Sequence, residues 1–447
     1  MPEYTRDTIV AAATPPGKGG IGIVRVSGPD AERLAGQMLG VVPEPRFATN
    51  VTIRNQDGDE LDRGIALYFT GSASYTGESV LELHGHGGPI VVASIIDAAV
   101  KLGARRAEPG EFSKRAFLNG KLDLVQAEAI ADLIDSGTSQ AARAALCSLA
   151  GSFSHAVTKL QQQLISLRLH VEAAIDFPEE EIDFLADANL LRKIEACVAA
   201  FEKLQRETSI GRVLRDGLQL VIVGKPNAGK SSLLNLLSGQ DAAIVTEVAG
   251  TTRDILRERI EIDGLAVELI DTAGLRDDPD RIEAEGIRRA REALKKADGV
   301  LWIQDATMPG DSKLDEEIPQ EVPVIILRNK IDVSGDPPGA SVKEPNTLYI
   351  SAKTGAGVDE LRDTIRELAG YKDLGEGAFT ARRRHVEAIG QAAEHFQRGR
   401  EALEKNKAGE LFAEDLRLSH EALGEVIGAF SSDDLLGRIF SEFCIGK

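Results

Sequence analysis

Gly224, Gly229, Lys230 and Ser231 stand at the G-x-x-x-x-G-K-[ST] spacing that cradles phosphate. The apolar run 218–223 before them reads as a buried parallel strand, and 231–237 after them as a helix opening. In that setting the loop's backbone N–H groups meet an anion, and the helix N-terminus adds partial positive charge. Lys230 reaches the terminal phosphates and the Ser231 hydroxyl can ligate Mg2+. Asp271, Thr272, Ala273 and Gly274 follow an apolar strand at 266–270. There a carboxylate can support Mg2+ and a glycine amide can sense the third phosphate. Asn329, Lys330 and Asp332 follow a strand at 322–327. A carboxylate at Asp332 can accept both donors of guanine, N1–H and the exocyclic amine, a pair that adenine lacks. Ser351, Ala352 and Lys353 follow a strand at 347–350 and complete a base pocket. Motifs in this order, each at a strand's C-terminal end, predict a GTPase domain.

Two further segments bear on hydrolysis. Gly250, Thr251 and Thr252 precede Asp271 and suit a switch in which a threonine closes over the nucleotide and adds a hydroxyl to Mg2+. An ordinary turn is the other reading. Leu275 stands where Ras-type enzymes carry a water-orienting glutamine, so hydrolysis needs another source.

The elements that must position these residues are legible as period changes. Residues 1–120 mix short strands (21–26, 80–84) with a helix at 89–102, punctuated by glycine and proline. From Leu122 helical spacing dominates to about Thr208, with a break and new cap at 136–139 and an interruption around Pro178. Residues 215–378 alternate strands and helices, a doubly wound, mostly parallel sheet. Beyond 379 the chain is helical again. Val386, Ile389, Ala393 and Phe396 form one apolar stripe, and Leu416, Ala422, Leu423, Val426 and Ile427 belong to another. The fold class is therefore α/β plus α. It has an N-terminal α/β domain (1–120), a discontinuous helical domain (121–214 and 379–447) and an inserted P-loop domain (215–378).

A chain of 447 residues with 43% hydrophobic residues can bury several cores. It has no signal-peptide pattern and no stretch of about 20 apolar residues, so a cytoplasmic protein without a membrane span is expected. A net charge of −19 argues against non-specific coating of nucleic acid. Cys147, Cys197 and Cys444 have no metal-ligand spacing, and the first two read as buried small residues. His84 and His86 lack a third ligand, so 84–88 reads as a glycine-rich turn. Residues 382–385, Arg-Arg-Arg-His, read as a solvated charge run at a helix start.

With 224–231, 250–254, 271–275, 435–440 and 444–447 in view, the chain resembles the bacterial MnmE (TrmE) family of tRNA-modifying GTPases end to end. Segments 14–17 and 109–118 look like that family as well. The resemblance implies an N-terminal domain that binds a tetrahydrofolate (5,10-methylene- or 5-formyl-) and forms a homodimer. It also implies a MnmG-like, FAD-bearing partner, in a heterotetramer, and a tRNA substrate. Together the two proteins add an aminomethyl or carboxymethylaminomethyl group to C5 of the wobble uridine. Carried over, Asn227, Thr246, Val248 and Thr251 would hold K+, Ser231 and Thr252 would hold Mg2+, and Glu283 would orient water. Catalytic roles thus fall on Glu283, Lys230 and Asn227. The nucleotide shell adds Ala228, Gly229, Ser232, Glu247 and Ala249 to the residues above. Arg25, Glu82, Lys121 and Lys447 would bind folate, and Cys444 is a further candidate near it. From the residues alone Glu283 is a helix-start carboxylate. A GTP-controlled assembly switch without uridine chemistry is the alternative function, and an ATP-driven motor a more distant one.

Overall fold

The computed structural model describes residues 7–176, 188–240, 257–271, 293–308, 322–370, 377–429, 433–441, 443 and 445–446. The first segment forms β1 (Ile9–Ala12), β2 (Gly19–Ser27), α1 (Ala31–Leu39), β3 (Thr49–Arg54) and β4 (Glu60–Phe69). It continues with β5 (Val80–Gly87), α2 (Pro89–Lys101), β6 (Arg105–Arg106) and α3 (Glu111–Leu118). Helices α4 (Leu124–Asp135), α5 (Ser139–Leu149), α6 (Ser152–Asp176) and α7 (Ala188–Asp216) follow. Then come β7 (Leu218–Gly224), α8 (Lys230–Gln240), β8 (Arg257–Ile262), β9 (Leu265–Asp271) and β10 (Gly299–Asp305). After these lie β11 (Val324–Asn329), α9 (Ile331–Ser334), β12 (Gly339–Ala340), β13 (Thr347–Ile350) and α10 (Val358–Leu368). Helices α11 (Arg383–Asn406), α12 (Gly409–Ile427) and α13 (Asp433–Ser441) come last. The chain divides into two compact units, 1–131 with 149–182 and 394–447, and 132–148 with 183–393.

In the first unit six strands form a sheet in the order β3-β4-β5-β2-β1-β6. Alternation turns Val24 and Val26 of β2 and Leu81 and Leu83 of β5 to one face. There they pack with Leu34, Ala35 and Met38 of α1 and with Ile95 and Ala99 of α2. The stretch expected to be a turn at 84–88 is instead the end of strand β5, which runs to Gly87. Its glycines serve close approach between strands rather than reversal. A Cβ on Gly87 would lie 2.6 Å from the Gly19 carbonyl oxygen of β2, and one on Gly64 of β4 2.0 Å from the His84 carbonyl oxygen. A second core joins Leu124 and Ala127 of α4 to Leu436, Ile439 and Phe440 of α13. Helix α6 buries Leu160, Leu164, Leu167 and Val171 at helical spacing and packs along α12.

In the second unit the sheet order is β12-β13-β11-β10-β7-β9-β8. The five inner strands are mutually parallel, and only the edges β12 and β8 pair antiparallel. Their uninterrupted apolar runs, such as Leu220, Val221, Ile222 and Val223, are buried because both faces are covered. The strand expected at 322–327 lies two residues later, ending at Asn329. Helix α7 passes the expected limit at Thr208, whose hydroxyl donates to the Leu204 carbonyl within the helix (2.7 Å) and so does not compete with it. Gly211 permits the next turn to meet the 379–381 backbone, since a Cβ there would lie 2.5 Å from the Phe379 carbonyl oxygen. Thr138 Oγ1 accepts from Ala141 N (3.1 Å) and caps α5 inside the expected break at 136–139. The interruption expected around Pro178 lies outside the described residues. On α11, Ile389, Ala392 and Phe396 are buried, while Val386 and Ala393 of the expected stripe are half-buried. On α12, Leu416, Ala422, Leu423 and Val426 are buried and Ile427 is half-buried. Among the described residues no helix is long and apolar enough to cross a membrane.

Candidate nucleotide and folate sites

Parallel pairing sets the C-terminal ends of β7, β10, β11 and β13 side by side. Ile303 is in register with Gly224, Asp305 with Asn329, and Asn329 with Ile350. The loop from β7 to α8 is turned by positive φ at Gly224 (157°), Asn227 (64°) and Gly229 (103°). Asn227 is the residue type other than glycine that best tolerates this conformation. Gly224 faces the Ile303 carbonyl oxygen, which a Cβ would approach to 2.4 Å. Lys230 is buried at the start of α8, and its Nζ donates to the Gly224 and Lys225 carbonyls at 2.8 and 3.0 Å. Its ammonium is thus held inside the curve of the loop. Ser231 and Ser232 are exposed on the first turn of α8.

The residues expected to read the base close against that loop. Asn329, 2% exposed, donates from Nδ2 to the Ala228 carbonyl (2.8 Å) and accepts at Oδ1 from Ala352 N (2.9 Å). Gly229 is required beside it, because a Cβ would lie 2.1 Å from Asn329 Nδ2. The Ser351 hydroxyl donates to Asp332 Oδ1 at 2.7 Å, leaving the exposed carboxylate oriented from one side. Lys330 caps α9 at φ 72° and donates to Asp305 Oδ2 at 2.6 Å. The Lys330 ammonium and the Thr307 hydroxyl hold the Asp305 carboxyl down at about 2. Lys353 is exposed at the rim. Asp305 was missed by motif reading. The available signal was its place at the C-terminal end of β10, between the strand of the phosphate loop and the strand of the base motif.

Asp271 ends β9, in register with Ile222 of β7, and its side chain lies outside the described residues. So do Thr246, Glu247, Val248, Ala249, Gly250, Thr251, Thr252, Thr272, Ala273, Gly274, Leu275 and Glu283. Of the expected cation ligands, Asn227 and Ser231 are described.

In the first unit Arg25 and Glu82 face each other directly across β2 and β5. Arg25 Nε donates to Glu82 Oε1 (2.8 Å), and His84 Nε2 donates to Glu82 Oε2 (3.2 Å). The guanidinium lies 5.7 Å from the ring centres of both Tyr75 and Phe112. Burial pushes the Tyr75 hydroxyl above its usual pKa. Arg25 also reaches the Gly446 carbonyl at 3.4 Å. Gly446 sits so close to Ala12 that a Cβ would lie 1.9 Å from its carbonyl oxygen. Lys121 Nζ donates to the Ser72 carbonyl (2.9 Å), in the turn that leads to Tyr75. Lys447 and Cys444 lie outside the described residues.

Other expectations divide. Cys197 is buried, which pushes its thiol up to about 11, whereas Cys147 is half-buried. Among the described residues no group of His, Cys, Asp and Glu could hold a metal ion. The run 382–385 is only in part the solvated face expected, since Arg383 is exposed and Arg384 half-buried. Arg382 and His385 are buried, and Arg382 Nη2 donates to Asp132 Oδ1 at 2.8 Å. Arg215 Nε reaches the same oxygen at 2.8 Å, and His385 Nδ1 accepts from Arg382 N at 3.0 Å. A polar cleft of about 710 Å³ in the second unit is lined by Asp132, Arg212, Arg215, Lys295, Asp298 and Arg383 among others, and by no residue of the phosphate loop or base motifs.

The family profile described as the MnmE helical domain matches residues 124–444, and that of the GTP-binding protein TrmE N-terminus matches 8–121. The tRNA modification GTPase MnmE of Photobacterium profundum is 51% identical over 456 residues, covering all of both chains. Those of Pseudomonas savastanoi and Vibrio parahaemolyticus are 54% and 52% identical, covering 99% of this chain and 99% and 100% of theirs. Among solved structures, the G domain of the T. maritima FeoB iron transporter is 28% identical, covering 34% of this chain and 98% of that one (TM-score 0.27). Aquifex aeolicus Era bound to GDP and AlF4− is also 28% identical, covering 40% and 66% (TM-score 0.27). With both family profiles matched and relatives more than half identical along its whole length, the chain belongs to the MnmE (TrmE) family of tRNA modification GTPases.

Proposed function

We propose that GTP hydrolysis by this chain drives addition of an aminomethyl or carboxymethylaminomethyl group to C5 of the wobble uridine of certain tRNAs. The chain acts in the cytoplasm as a homodimer with a MnmG-like flavoprotein that carries FAD, and the one-carbon unit comes from methylenetetrahydrofolate. One observation carries the reading. The Asp332 carboxylate, oriented by Ser351, and a cross-strand Arg25–Glu82 pair flanked by Tyr75 and Phe112 are built into the same chain. A regulatory switch needs only the first. The division into 1–120, 121–214 with 379–447, and 215–378 gives each task a segment.

At the nucleotide site Asp332 accepts the two guanine donors, Asn329 and Ala352 fix the pocket, and Lys230 leaves the loop carbonyls for phosphate oxygens. The donor set fits two cations. The Ser231 hydroxyl is exposed at the α8 start for Mg2+, and the exposed Asn227, held at positive φ, offers amide oxygen for K+. Thr252 joins the first, and Thr246, Val248 and Thr251 the second. These ions supply positive charge against the charge that develops between the phosphates. Glu283 orients the attacking water in place of a glutamine at 275.

At the N-terminal site the half-buried Glu82 suits the donor pairs of a reduced pterin, and the neighbouring rings suit its flat face. Arg25, Lys121 and Lys447 meet the carboxylates of its glutamate tail, with Cys444 close by. The net charge of −19 is consistent with a partner that supplies much of the basic surface for tRNA.

Mass spectrometry of wobble uridines tests the reading. A strain lacking this chain, and one carrying Asp332→Asn, should both accumulate uridine without the C5 group; full modification in either overturns it. Equal GTP turnover in K+ and Na+ would remove the K+ role.

A further inference from the structure

We propose that Asp305 is a positioning residue for the guanine end of the site: by holding the Lys330 ammonium it fixes the segment that presents Asp332. The inference rests on Asp332 reading guanine.

An exposed ion pair contributes little on its own. This one is built into the pocket wall. The Asp305 carboxylate is itself fixed, because Oδ1 accepts from both the Thr307 backbone N–H (3.0 Å) and the Thr307 hydroxyl (2.7 Å). That leaves Oδ2 for Lys330, at 2.6 Å. Lys330 sits at φ 72°, a conformation unfavourable for a residue with a Cβ, and it opens the four-residue helix α9 that carries Asp332. The backbone is joined at the same level. Asp305 pairs with Asn329 in the parallel ladder, and Ala306 N donates to the Asn329 carbonyl at 2.8 Å.

Residues 329–332 are therefore clamped from two directions. Asn329 is held by the phosphate loop and Ala352. Lys330 is held by Asp305, whose strand β10 lies two places along the sheet from β13, the strand before the Ser351 loop. Releasing the tether lets the left-handed Lys330 relax, and Asp332 loses the direction in which its free oxygen faces the base. Asp305 acts on the base end, common to GTP and GDP. Lys230, on the phosphate side, has its own partners in Gly224 and Lys225 and none in Asp305 or Lys330, so its exchange for phosphate oxygens does not pass through the tether. The carboxyl is held at about 2, so the tether is complete above the ordinary carboxylate range and fails only as pH falls through that value. A loss on substitution is then independent of pH between roughly 5 and 9.

Binding of fluorescent GDP and a non-hydrolysable GTP analogue to the full chain tests this in Asp305→Asn, Lys330→Met and the double variant. Asp305→Asn should weaken both nucleotides equally, by about tenfold, raising KM for GTP while kcat stays unchanged. The double variant should bind no more weakly than Lys330→Met. Independent, multiplying losses, a loss confined to the GTP analogue, or no loss would each overturn the proposal. Should Asp305→Asn not fold, Thr307→Val removes a hydroxyl from an exposed position. It should give the same pattern at about threefold, and its absence would count equally against the tether. Asp332→Asn separates the two levels. If it does not shift preference from guanine to xanthine nucleotides, the base reading fails. If it does while Asp305 and Lys330 act independently, only the tether fails.

Discussion

In the proposed function Asp332 and Glu82 are both carboxylates that read the donor edge of a heterocycle, and they are held in opposite ways. Asp332 gives one oxygen to the Ser351 hydroxyl and, among the described residues, has no partner on the other. Glu82 has both oxygens engaged, one by Arg25 and one by His84. The first is a finished reading edge, so a guanine's donor pair adds hydrogen bonds without displacing any. The second is a stabilised carboxylate that must share or exchange a partner before a pterin can use it. Hydrogen bonds to ionised groups are worth about 1.5–3 kcal/mol net, so a displaced partner consumes much of what the ligand supplies. Guanine recognition should accordingly be the sharper of the two and folate recognition the more easily tuned.

The strongest way to break this contrast is Asp332→Asn. An amide there replaces one acceptor with a donor aimed at the guanine donors. GTP affinity should fall by about a hundredfold, with xanthosine triphosphate gained in exchange. Competition binding measures both. A loss below about fivefold would mean that Asp332 is not a finished edge.

A smaller effect is expected of Glu82→Gln. It keeps the shape and one acceptor but removes the charge that pairs with Arg25, so affinity for 5-formyltetrahydrofolate should fall by about tenfold, read by calorimetry. A fall as deep as that at Asp332 would place the two sites in one class.

What was legible in the sequence divides along the same line. The phosphate and base motifs could be read because each is contiguous and sits at a strand's C-terminal end, where a parallel sheet opens. The contacts that join them could not, because Asn329 reaches Ala228 and Ala352 only after four strands have paired. Asp305 belongs to no motif and shows itself only through its register with Asn329. At 382–385 a charge run looked solvated because its counter-ion, Asp132, is 250 residues away in the chain. The residues 84–88 looked like a turn because glycine is a turn residue far more often than a strand residue. Only the built sheet shows that Gly64 and Gly87 leave no room for a Cβ. Composition and period announce elements; they do not announce what crosses between them.

His84 gives the most delicate test, since its expected effect is small and its sign decides between two accounts. Its Nε2 donates to Glu82 Oε2 at 3.2 Å, a long bond for an N–H donor, at a half-buried position. Such a bond contributes about 0.5–1 kcal/mol. If it competes with the ligand for that oxygen, His84→Ala should tighten 5-formyltetrahydrofolate binding by about threefold. If instead it orients Glu82 for the ligand, as Ser351 orients Asp332, the same substitution should weaken binding by a similar factor. The geometry favours competition. Glu82 already receives direction from Arg25 across the strand pair, while Asp332 has no second support of that kind among the described residues. A weakened His84→Ala variant would therefore erase the difference between the two carboxylates and make Glu82, like Asp332, an edge completed by its neighbour.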